Sequence, residues 1–339
     1  MALLEVRDLH VSFRTLDGIV HAVEGVSFSL DGGRTLGIVG ESGSGKSVSA
    51  LTIMGLTRLP NSTVRGEIVF DGRELLALPP EQMRQVRGAR IAMIFQDPLS
   101  SLHPLYRVGW QISEAILAHE DVSRREAHKR SIEALRAVGI PSPDQCASSY
   151  PHELSGGMRQ RAMIAMALAL RPDVLIADEP TTALDVTVQA QVLELIRALR
   201  NDLGTAVILI THDLGVVAGM ADDVAVMYAG RIVEQAARPT IFEAPQHPYT
   251  WGLLQSITRL DAPRSERLRP IEGAPPSLIT LPRGCKFHPR CPYVPPPARE
   301  TEPELAEAEP GHLVRCHLPV EERRRLWQQL QEAQPALRA

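Results

Sequence analysis

The sequence has little of what membrane-spanning or secreted proteins require. Its 339 residues include only 4 cysteines and 4% aromatic residues. The longest purely apolar run, residues 162–170, falls well short of the about 20 residues that a membrane helix needs. Charges interrupt the first ten residues, so they lack the apolar core of a signal peptide. The cysteines are too few and too clustered for a secreted disulfide framework. We therefore expect a cytoplasmic protein without a membrane span.

Neither sign of charge is in large excess. The 36 Lys and Arg residues stand against 40 Asp and Glu residues, which gives a formal net charge of −4. This balance excludes a disordered acidic chain and argues against nucleic acid as a partner. With 44% hydrophobic residues, the chain can bury a large core, and its length favours two domains.

Proline marks the expected domain boundary. Of the 27 prolines, 17 lie from Pro239 onward. We predict an α/β domain over residues 1–238, with a helical subdomain over about 97–155. Residues 239–339 are predicted to form an extension of turns and short elements that ends in a helix, EERRRLWQQLQEA.

The strands of the first domain are predicted from two kinds of pattern. LLEVRDLHVSF and IVHAVEGVSFSL alternate apolar and polar residues, which is typical of half-buried antiparallel strands. The continuous apolar runs at 35–39, 174–177 and 206–210 indicate strands of a parallel sheet that is buried on both faces. Helical periodicity over 158–170 and 186–203 completes an α/β pattern.

A phosphate-binding loop is the clearest motif. GESGSGKS follows the run at 35–39 and precedes a helical stretch, as the pattern G-x-x-x-x-G-K-[ST] of a P-loop requires. Glycines let backbone N–H groups close around phosphate oxygens, and the following helix contributes its N-terminal dipole. Lys46 can reach the β- and γ-phosphates and the Ser47 hydroxyl can bind Mg²⁺. The loop residues assigned to nucleotide binding are Gly40, Ser42, Gly43, Ser44, Gly45, Lys46 and Ser47.

Two further stretches suit phosphate chemistry. VLIADEP places Asp178 at the end of a predicted strand, where it can hold the Mg²⁺ shell, and Glu179 next to it can orient or deprotonate an attacking water. Ser155, Gly156 and Gly157 open a predicted helix and form a second anion-binding N-terminus.

LSGGMRQR, around these three residues, resembles the signature motif of ABC-type ATPases. The other motifs of that family stand around it in the right order. Phe13 resembles the aromatic residue that stacks on adenine, and Gln96 in IFQDP resembles the Q-loop glutamine that contacts Mg²⁺. Asp185 in TTALD resembles the D-loop aspartate, and His212 in ITHD the switch histidine. The resemblance implies a P-loop ABC-type fold with an antiparallel β-subdomain, a parallel-sheet core and a helical subdomain. It also implies ATP hydrolysis in a dimer, with Glu179, His212 and Gln96 as catalytic residues.

Stretches outside these motifs narrow the resemblance to the ATP-binding subunits of oligopeptide and dipeptide importers. They include IFQDPLSSLHPLYRVGWQI, IFEAPQHPYTWGLL, RGCKFHPRCP and GHLVRCHLP. The resemblance implies ATP and Mg²⁺ as cofactors, two membrane permeases, a second ATP-binding subunit in a heterodimer or homodimer, and an extracytoplasmic solute-binding protein. It places the protein peripherally at the cytoplasmic face of the bacterial plasma membrane. Nickel, glutathione or oligosaccharides are alternative substrates, and a non-transport ABC ATPase is a further alternative.

The cysteines of the extension carry a separate hypothesis. The same family usually has four cysteines here, which can hold a [4Fe–4S] cluster. Only Cys285, Cys291 and Cys316 match, because the third family position falls on Ala298. A cluster with His288 or His317 as the fourth ligand, zinc in its place, or small buried hydrophobic side chains without metal remain the alternatives.

Overall fold

A computed structural model describes residues 2–97, 101–182, 185–256 and 271–333. The chain divides into two compact units. The first unit comprises Met1–Leu3, Leu30–Arg34 and Leu75–Ile210, and the second comprises Leu4–Ser29, Thr35–Glu74 and Thr211–Ala339.

The described residues form both strands and helices. The strands are β1 (Leu4–Thr15), β2 (Gly18–Leu30), β3 (Thr35–Val39), β4 (Ser62–Phe70), β5 (Arg73–Glu74), β6 (Ile91–Ile94), β7 (Val174–Asp178), β8 (Ala206–Thr211), β9 (Asp223–Tyr228), β10 (Arg231–Ala237), β11 (Ala306–Glu309) and β12 (His312–Val314). The helices are α1 (Lys46–Ile53), α2 (Pro80–Val86), α3 (Val108–Leu117), α4 (Arg124–Ala137), α5 (Pro143–Ser148), α6 (Gly156–Leu168), α7 (Val186–Leu203), α8 (Leu214–Met220), α9 (Arg238–Glu243), α10 (Pro248–Gln255) and α11 (Val320–Ala333). Short 3₁₀ turns cover Pro151–Glu153 and Pro296–Arg299.

The second unit contains the predicted antiparallel sheet, with strand order β2-β1-β4-β5. The register of β1 on β4 runs from Leu4 opposite Phe70 to Phe13 opposite Ser62. A bulge interrupts it between Arg7 and His10. The alternation of LLEVRDLHVSF therefore produces a sheet with one buried face, as predicted.

A second sheet in this unit has the order β11-β12-β10-β9-β3. β3 and β9 run parallel, whereas β10 pairs antiparallel with β9 on one side and with β12 on the other. The last two strands, β12 and β11, come from the predicted extension. The extension thus contributes strands that the sequence patterns did not predict, because β11 reads AEAE and is exposed at its start.

The core of this unit also contains residues from the extension. Tyr228 at the end of β9 packs against Tyr249 of α10 and against Phe287, with ring centroids 4.7 and 5.2 Å apart. Trp251 and Trp327 stack near the same cluster and are buried. Apolar burial is the main favourable term in folding, so residues on both sides of position 238 stabilise one hydrophobic core. The domain boundary at 238 stays a prediction.

The first unit contains three strands in the order β8-β7-β6. They run parallel, with Val174 of β7 opposite both Ile91 and Ala206. All residues of β7 and β8 are buried, which confirms the parallel core that the continuous apolar runs indicated.

Helices dominate the insert of this unit, as predicted. Ser123 caps α4 by accepting a hydrogen bond from the Glu126 N–H at 3.2 Å, a standard start for a helix. The inward residues Ile112, Ile116 and Leu135 are 0% exposed. The helical subdomain therefore has an apolar interior of its own.

Candidate functional site

The loop between β3 and α1 has a backbone that only glycine can form. At Gly40, φ is +154° and a Cβ would lie 2.1 Å from the Met227 carbonyl oxygen. At Gly45, φ is +99° and a Cβ would lie 2.4 Å from the Ala22 carbonyl oxygen. Gly43 has a φ of +77° with no atom within 4 Å of its Cβ position. Side chains are excluded from the two ends of the loop by contact and from its middle by backbone strain.

Lys46 lies within this loop at the start of α1. The residue is 5% exposed. Its Nζ donates to the carbonyl oxygens of Gly40 and Glu41 at 2.8 and 2.9 Å. A buried ammonium group needs such acceptors to offset its desolvation. The loop thus holds a positive charge at a helix N-terminus, where Gly45 as N-cap provides no side-chain acceptor.

The remaining loop residues differ in exposure. Ser44 is buried, Ser47 is half-buried, and Ser42 and Gly43 are exposed. The Ser44 carbonyl oxygen accepts from the Gly230 N–H at 3.0 Å. The loop is therefore fixed at Ser44 and open to solvent at Ser42 and Gly43.

Glu179 directly follows β7 and has a strained backbone. Its φ is +47°, in the left-handed region, which costs a non-glycine residue about 1–3 kcal/mol. Its N–H donates to the Ile210 carbonyl at 2.8 Å. The Gln96 amide and the Thr182 hydroxyl both donate to its Oε2 at 2.9 Å. The structure thus brings the predicted pair Gln96 and Glu179 together and adds Thr182, which the sequence analysis missed.

Asp178, the last residue of β7, is 4% exposed. Its position at the carboxyl end of a parallel strand matches the sequence prediction. A carboxylate, the Ser47 hydroxyl and the Gln96 amide all supply oxygen donors of the kind that Mg²⁺ prefers. The chemistry of these donors fits the predicted metal.

The second predicted anion site lies at the start of α6. Ser155 is the N-cap, and its Oγ accepts from the Met158 N–H at 3.3 Å. Ser155 and Gly156 are exposed, and a Cβ at Gly156 would meet no atom within 4 Å. At Gly157 a Cβ would lie 3.3 Å from Cγ1 of Val188. This helix start is open to solvent on one side and packed against α7 on the other.

Asp185 has a structural contact in addition to its predicted role. It caps α7, and its Oδ1 accepts from the Val188 N–H at 2.9 Å. One helical turn along α6, the Gln160 amide donates to the Pro180 carbonyl at 2.6 Å. Within the first unit, α6 therefore contacts both the segment after Glu179 and the start of α7.

Phe13 and His212 lie in the second unit with the phosphate-binding loop. Phe13 is half-buried on β1, and His212 is exposed directly after β8. Asp213, next to His212, caps α8 by accepting from the Gly215 N–H at 2.8 Å. The backbone around His212 is therefore fixed.

The three cysteines of the extension line one small cavity, together with Ala298, His288 and His317. Burial raises the pKa of Cys291 to about 12 and that of Cys316 to about 11, and it also raises the pKa of Cys285. Within the described ranges, no group of three or more His, Cys, Asp or Glu side chains is arranged to hold a metal ion. As described, these residues do not fit an iron–sulfur cluster.

No helix in the described parts of the chain is both long and apolar enough to cross a membrane.

Comparison with known proteins gives two family matches. Residues 23–182 match the ABC transporter family, and residues 233–296 match the C-terminal region of oligopeptide/dipeptide transporters. The oligopeptide transport ATP-binding protein OppD of Bacillus subtilis is 52% identical over 93% of this chain and 88% of its own length. The dipeptide transport ATP-binding protein DppD of the same organism is 52% identical over 93% of this chain and 94% of its own length.

A solved structure agrees with the fold. It is the dimeric post-hydrolysis state of the ATP-binding cassette MJ0796 bound to ADP and phosphate, with a TM-score of 0.63 and 26% identity. It covers 69% of this chain and 98% of the other. The predicted ABC-type fold is thereby confirmed.

Proposed function

The chain belongs to the ATP-binding proteins of oligopeptide and dipeptide ABC transporters, and we propose that it hydrolyses ATP to power the import of peptides. The observation that carries this proposal is the loop before α1. Its glycines exclude side chains from the loop, and it holds Lys46 with the ammonium 2.8 Å from a loop carbonyl. Such a cationic loop at a helix N-terminus is suited to a polyphosphate.

Within the loop, we propose that Lys46 binds the β- and γ-phosphates and that Gly40, Ser42, Gly43, Ser44 and Gly45 surround them. Phe13 stacks on the adenine. When Mg²⁺ is bound, it neutralises charge that develops on the phosphate oxygens. Ser47, Asp178 and Gln96 are the residues proposed to hold it.

Glu179 is the proposed base that orients or deprotonates the attacking water. Two hydrogen-bond donors to Oε2 fix the direction of its carboxylate. Its backbone lies in the left-handed region, which is unfavourable for a residue other than glycine. Strain of this kind is common at functional sites. His212 is proposed to contact the γ-phosphate.

For the start of α6, we propose contact with ATP bound to a second ATP-binding subunit. Ser155, Gly156 and Gly157 are the residues involved, with Asp185 at the same interface. Support comes from the exposure of Ser155 and Gly156 and from the dimer of the related cassette. The second subunit is a similar ATPase in a heterodimer or a copy of this chain in a homodimer.

The proposed complex further contains two membrane permeases and receives peptide from an extracytoplasmic solute-binding protein. This chain lies peripherally on the cytoplasmic face of the bacterial plasma membrane. The peptide substrate is proposed from the names of the relatives. Nickel, glutathione or an oligosaccharide are the alternative substrates of the same motor. A non-transport ABC ATPase would be stimulated by DNA or ribosomes and would not co-purify with permeases.

For the cysteines, we infer that the three half-buried thiols line the cavity around Ala298 as small apolar side chains and hold no cluster. Anaerobic purification followed by iron and sulfide assays tests this inference. Stoichiometric iron and sulfide in the folded protein would overturn it.

Glu179→Gln in the assembled transporter tests the ATPase assignment. The amide keeps the size of the side chain but cannot take a proton, so we expect turnover to fall about 10²–10⁴-fold. ATP affinity should change little, and peptide uptake should stop with hydrolysis. Turnover like that of the wild type would show that Glu179 is not the base. Uptake of labelled peptide by the wild-type complex tests the substrate separately.

A further inference from the structure

Glu41, inside the phosphate-binding loop, is held by the C-terminal extension. Its carboxylate forms two hydrogen bonds with Arg290, from Nη1 to Oε2 at 2.6 Å and from Nη2 to Oε1 at 3.0 Å. Its backbone N–H donates to the Tyr249 hydroxyl at 2.8 Å. Its carbonyl accepts from Lys46 Nζ at 2.9 Å. The residue that holds the Lys46 ammonium is thus fixed by two residues from beyond position 238.

Arg290 is itself fixed. Its side chain is 4% exposed. Nε donates to the Glu272 carbonyl at 2.9 Å and Nη2 to the Ile271 carbonyl at 3.2 Å. The guanidinium also lies 5.8 Å from the centre of the Tyr228 ring. Burial alone would lower the pKa of Arg290, but the hydrogen bonds with Glu41 and Tyr228 outweigh it and the pKa is raised.

The two hydrogen bonds between Arg290 and Glu41 bear on ATP binding because Glu41 lies in the phosphate-binding loop. A planar guanidinium that binds both carboxylate oxygens fixes orientation as well as charge. Glu41 is an anionic residue in a loop suited to a polyanion. Without Arg290, its negative charge would be uncompensated and its backbone would be less well held.

We propose that the C-terminal extension forms part of the nucleotide site, with Arg290 as a positioning residue that sets the charge and conformation of the phosphate-binding loop through Glu41. Tyr249 acts with it by holding the backbone N–H of Glu41. The inference rests on the proposed ATP site. It adds that the extension, besides completing the hydrophobic core, determines how tightly that site binds ATP.

A purely structural role for Arg290 would predict a loss of folding stability without a specific effect on ATP. The ion pair between Lys286 and Glu302 provides a matched control. Its N–O distance is 2.9 Å and its side chains are 14% and 25% exposed. Both partners belong to the extension, and the Lys286 ammonium contacts Glu302 and the Pro282 carbonyl. Lys286→Met therefore breaks a half-buried pair of the same unit without removing a contact to Glu41.

The experiment measures equilibrium ATP binding to the full chain, and KM and kcat in the assembled transporter. Arg290→Met should weaken ATP binding and raise KM about tenfold, the effect of losing one charge-assisted contact. At saturating ATP, kcat should change less than about twofold because Arg290 does not touch the reacting atoms. Arg290→Lys keeps the positive charge but cannot bind both carboxylate oxygens of Glu41 as the planar guanidinium does, so we expect an intermediate rise in KM of about threefold. Adding Glu41→Gln to Arg290→Met should restore part of the affinity, since the uncompensated charge is gone.

Two results would overturn the proposal: wild-type ATP affinity in Arg290→Met, or an equal loss of affinity in Lys286→Met. If Arg290→Met does not fold, Tyr249→Phe decides, because it removes only the hydroxyl that holds Glu41. There we expect a rise in KM of about threefold with kcat retained, and an unchanged KM would count against the proposal. Failure of the proposed function is distinguishable, because the wild-type chain itself would then bind no ATP.

Discussion

At the start of α1, Lys46 is 5% exposed and its ammonium is held by two loop carbonyls, whereas at the start of α6 both Ser155 and Gly156 face solvent. The two helix N-termini share the same chemistry of backbone donors and a helix dipole. They differ in what surrounds them. The first is held by its own chain, including the extension, although Ser42 and Gly43 are exposed, whereas the second is exposed at its N-cap and first helical residue.

This difference indicates separate roles for the starts of α1 and α6. Binding is tighter when a site does not need to be ordered by its ligand, and the loop before α1 is fixed at Gly40, Glu41, Ser44 and Gly45 before any nucleotide arrives. The start of α6 is held on the side of Val188 and Pro180 and is exposed at Ser155 and Gly156. We infer that the loop determines the affinity of one chain for ATP, and that α6 matters once a second subunit is present.

The largest expected effect is at the start of α1. Gly45→Ala places a Cβ 2.4 Å from the Ala22 carbonyl oxygen at a φ of +99°. Relief requires a shift of the loop, so ATP affinity of the full chain should fall about a hundredfold or more. Gly156→Ala is the control, because its Cβ would meet nothing within 4 Å. Its affinity should stay within about twofold of the wild type. Wild-type affinity in Gly45→Ala, measured by equilibrium dialysis, would refute the proposal that the fixed loop determines ATP affinity.

The second-largest expected effect is at the start of α6. Gly156→Asp places a negative charge at the exposed start of α6, where it would repel a phosphate bound to the second subunit. Turnover of the assembled transporter should fall between about tenfold and a hundredfold. ATP affinity of the chain alone should not change. Asparagine has about the size of aspartate without its charge, so turnover of Gly156→Asn should fall much less. Equal losses in both variants would show that size, rather than charge, is what matters there.

Most of the fold that positions the site could be predicted from the sequence. Buried parallel strands read as continuous apolar runs, so β3 was predicted with its observed bounds and β7 within one residue. The helix predicted over 186–203 is observed as Val186–Leu203. The four-residue strand β6 was missed because so short a run carries no periodicity. The strands β11 and β12 were missed because their pairing with β10 comes from tertiary contacts.

The candidate site likewise contains residues that the sequence predicted and contacts that it did not. Local motifs identified the loop, Glu179 and the start of α6, because phosphate binding depends on neighbouring backbone groups. The bond from Thr182 to Glu179 spans three residues but has no pattern of its own. The pair of Arg290 and Glu41 joins residues 249 positions apart. No local pattern in a single sequence indicates a contact at that distance along the chain.

The smallest expected effect is on the pH dependence of folding stability, and it concerns the residues that hold the loop before α1. His247 caps α10, where its Nδ1 accepts from the Tyr249 N–H at 3.1 Å, and Tyr249 in turn holds Glu41. Burial lowers the pKa of His247 to about 4; nearby Glu234 opposes this, and Arg323 adds to it. Since the unfolded state binds the proton first, stability is lost as pH falls below about 6.5 and levels off below about 4.

At pH 5.5 the loss should be about 1.4 kcal/mol relative to pH 8. His247→Asn keeps a capping acceptor that does not titrate, so this part of the pH dependence should disappear from its denaturant unfolding curves. Other groups titrate alike in both proteins, which leaves the difference in slope to His247. The same slope in both would mean that the histidine is not held neutral. Only near pH 4, where the folded state itself takes up the proton on His247, should ATP binding of the wild type weaken more than that of His247→Asn, and this is expected only if the extension supports the phosphate-binding loop.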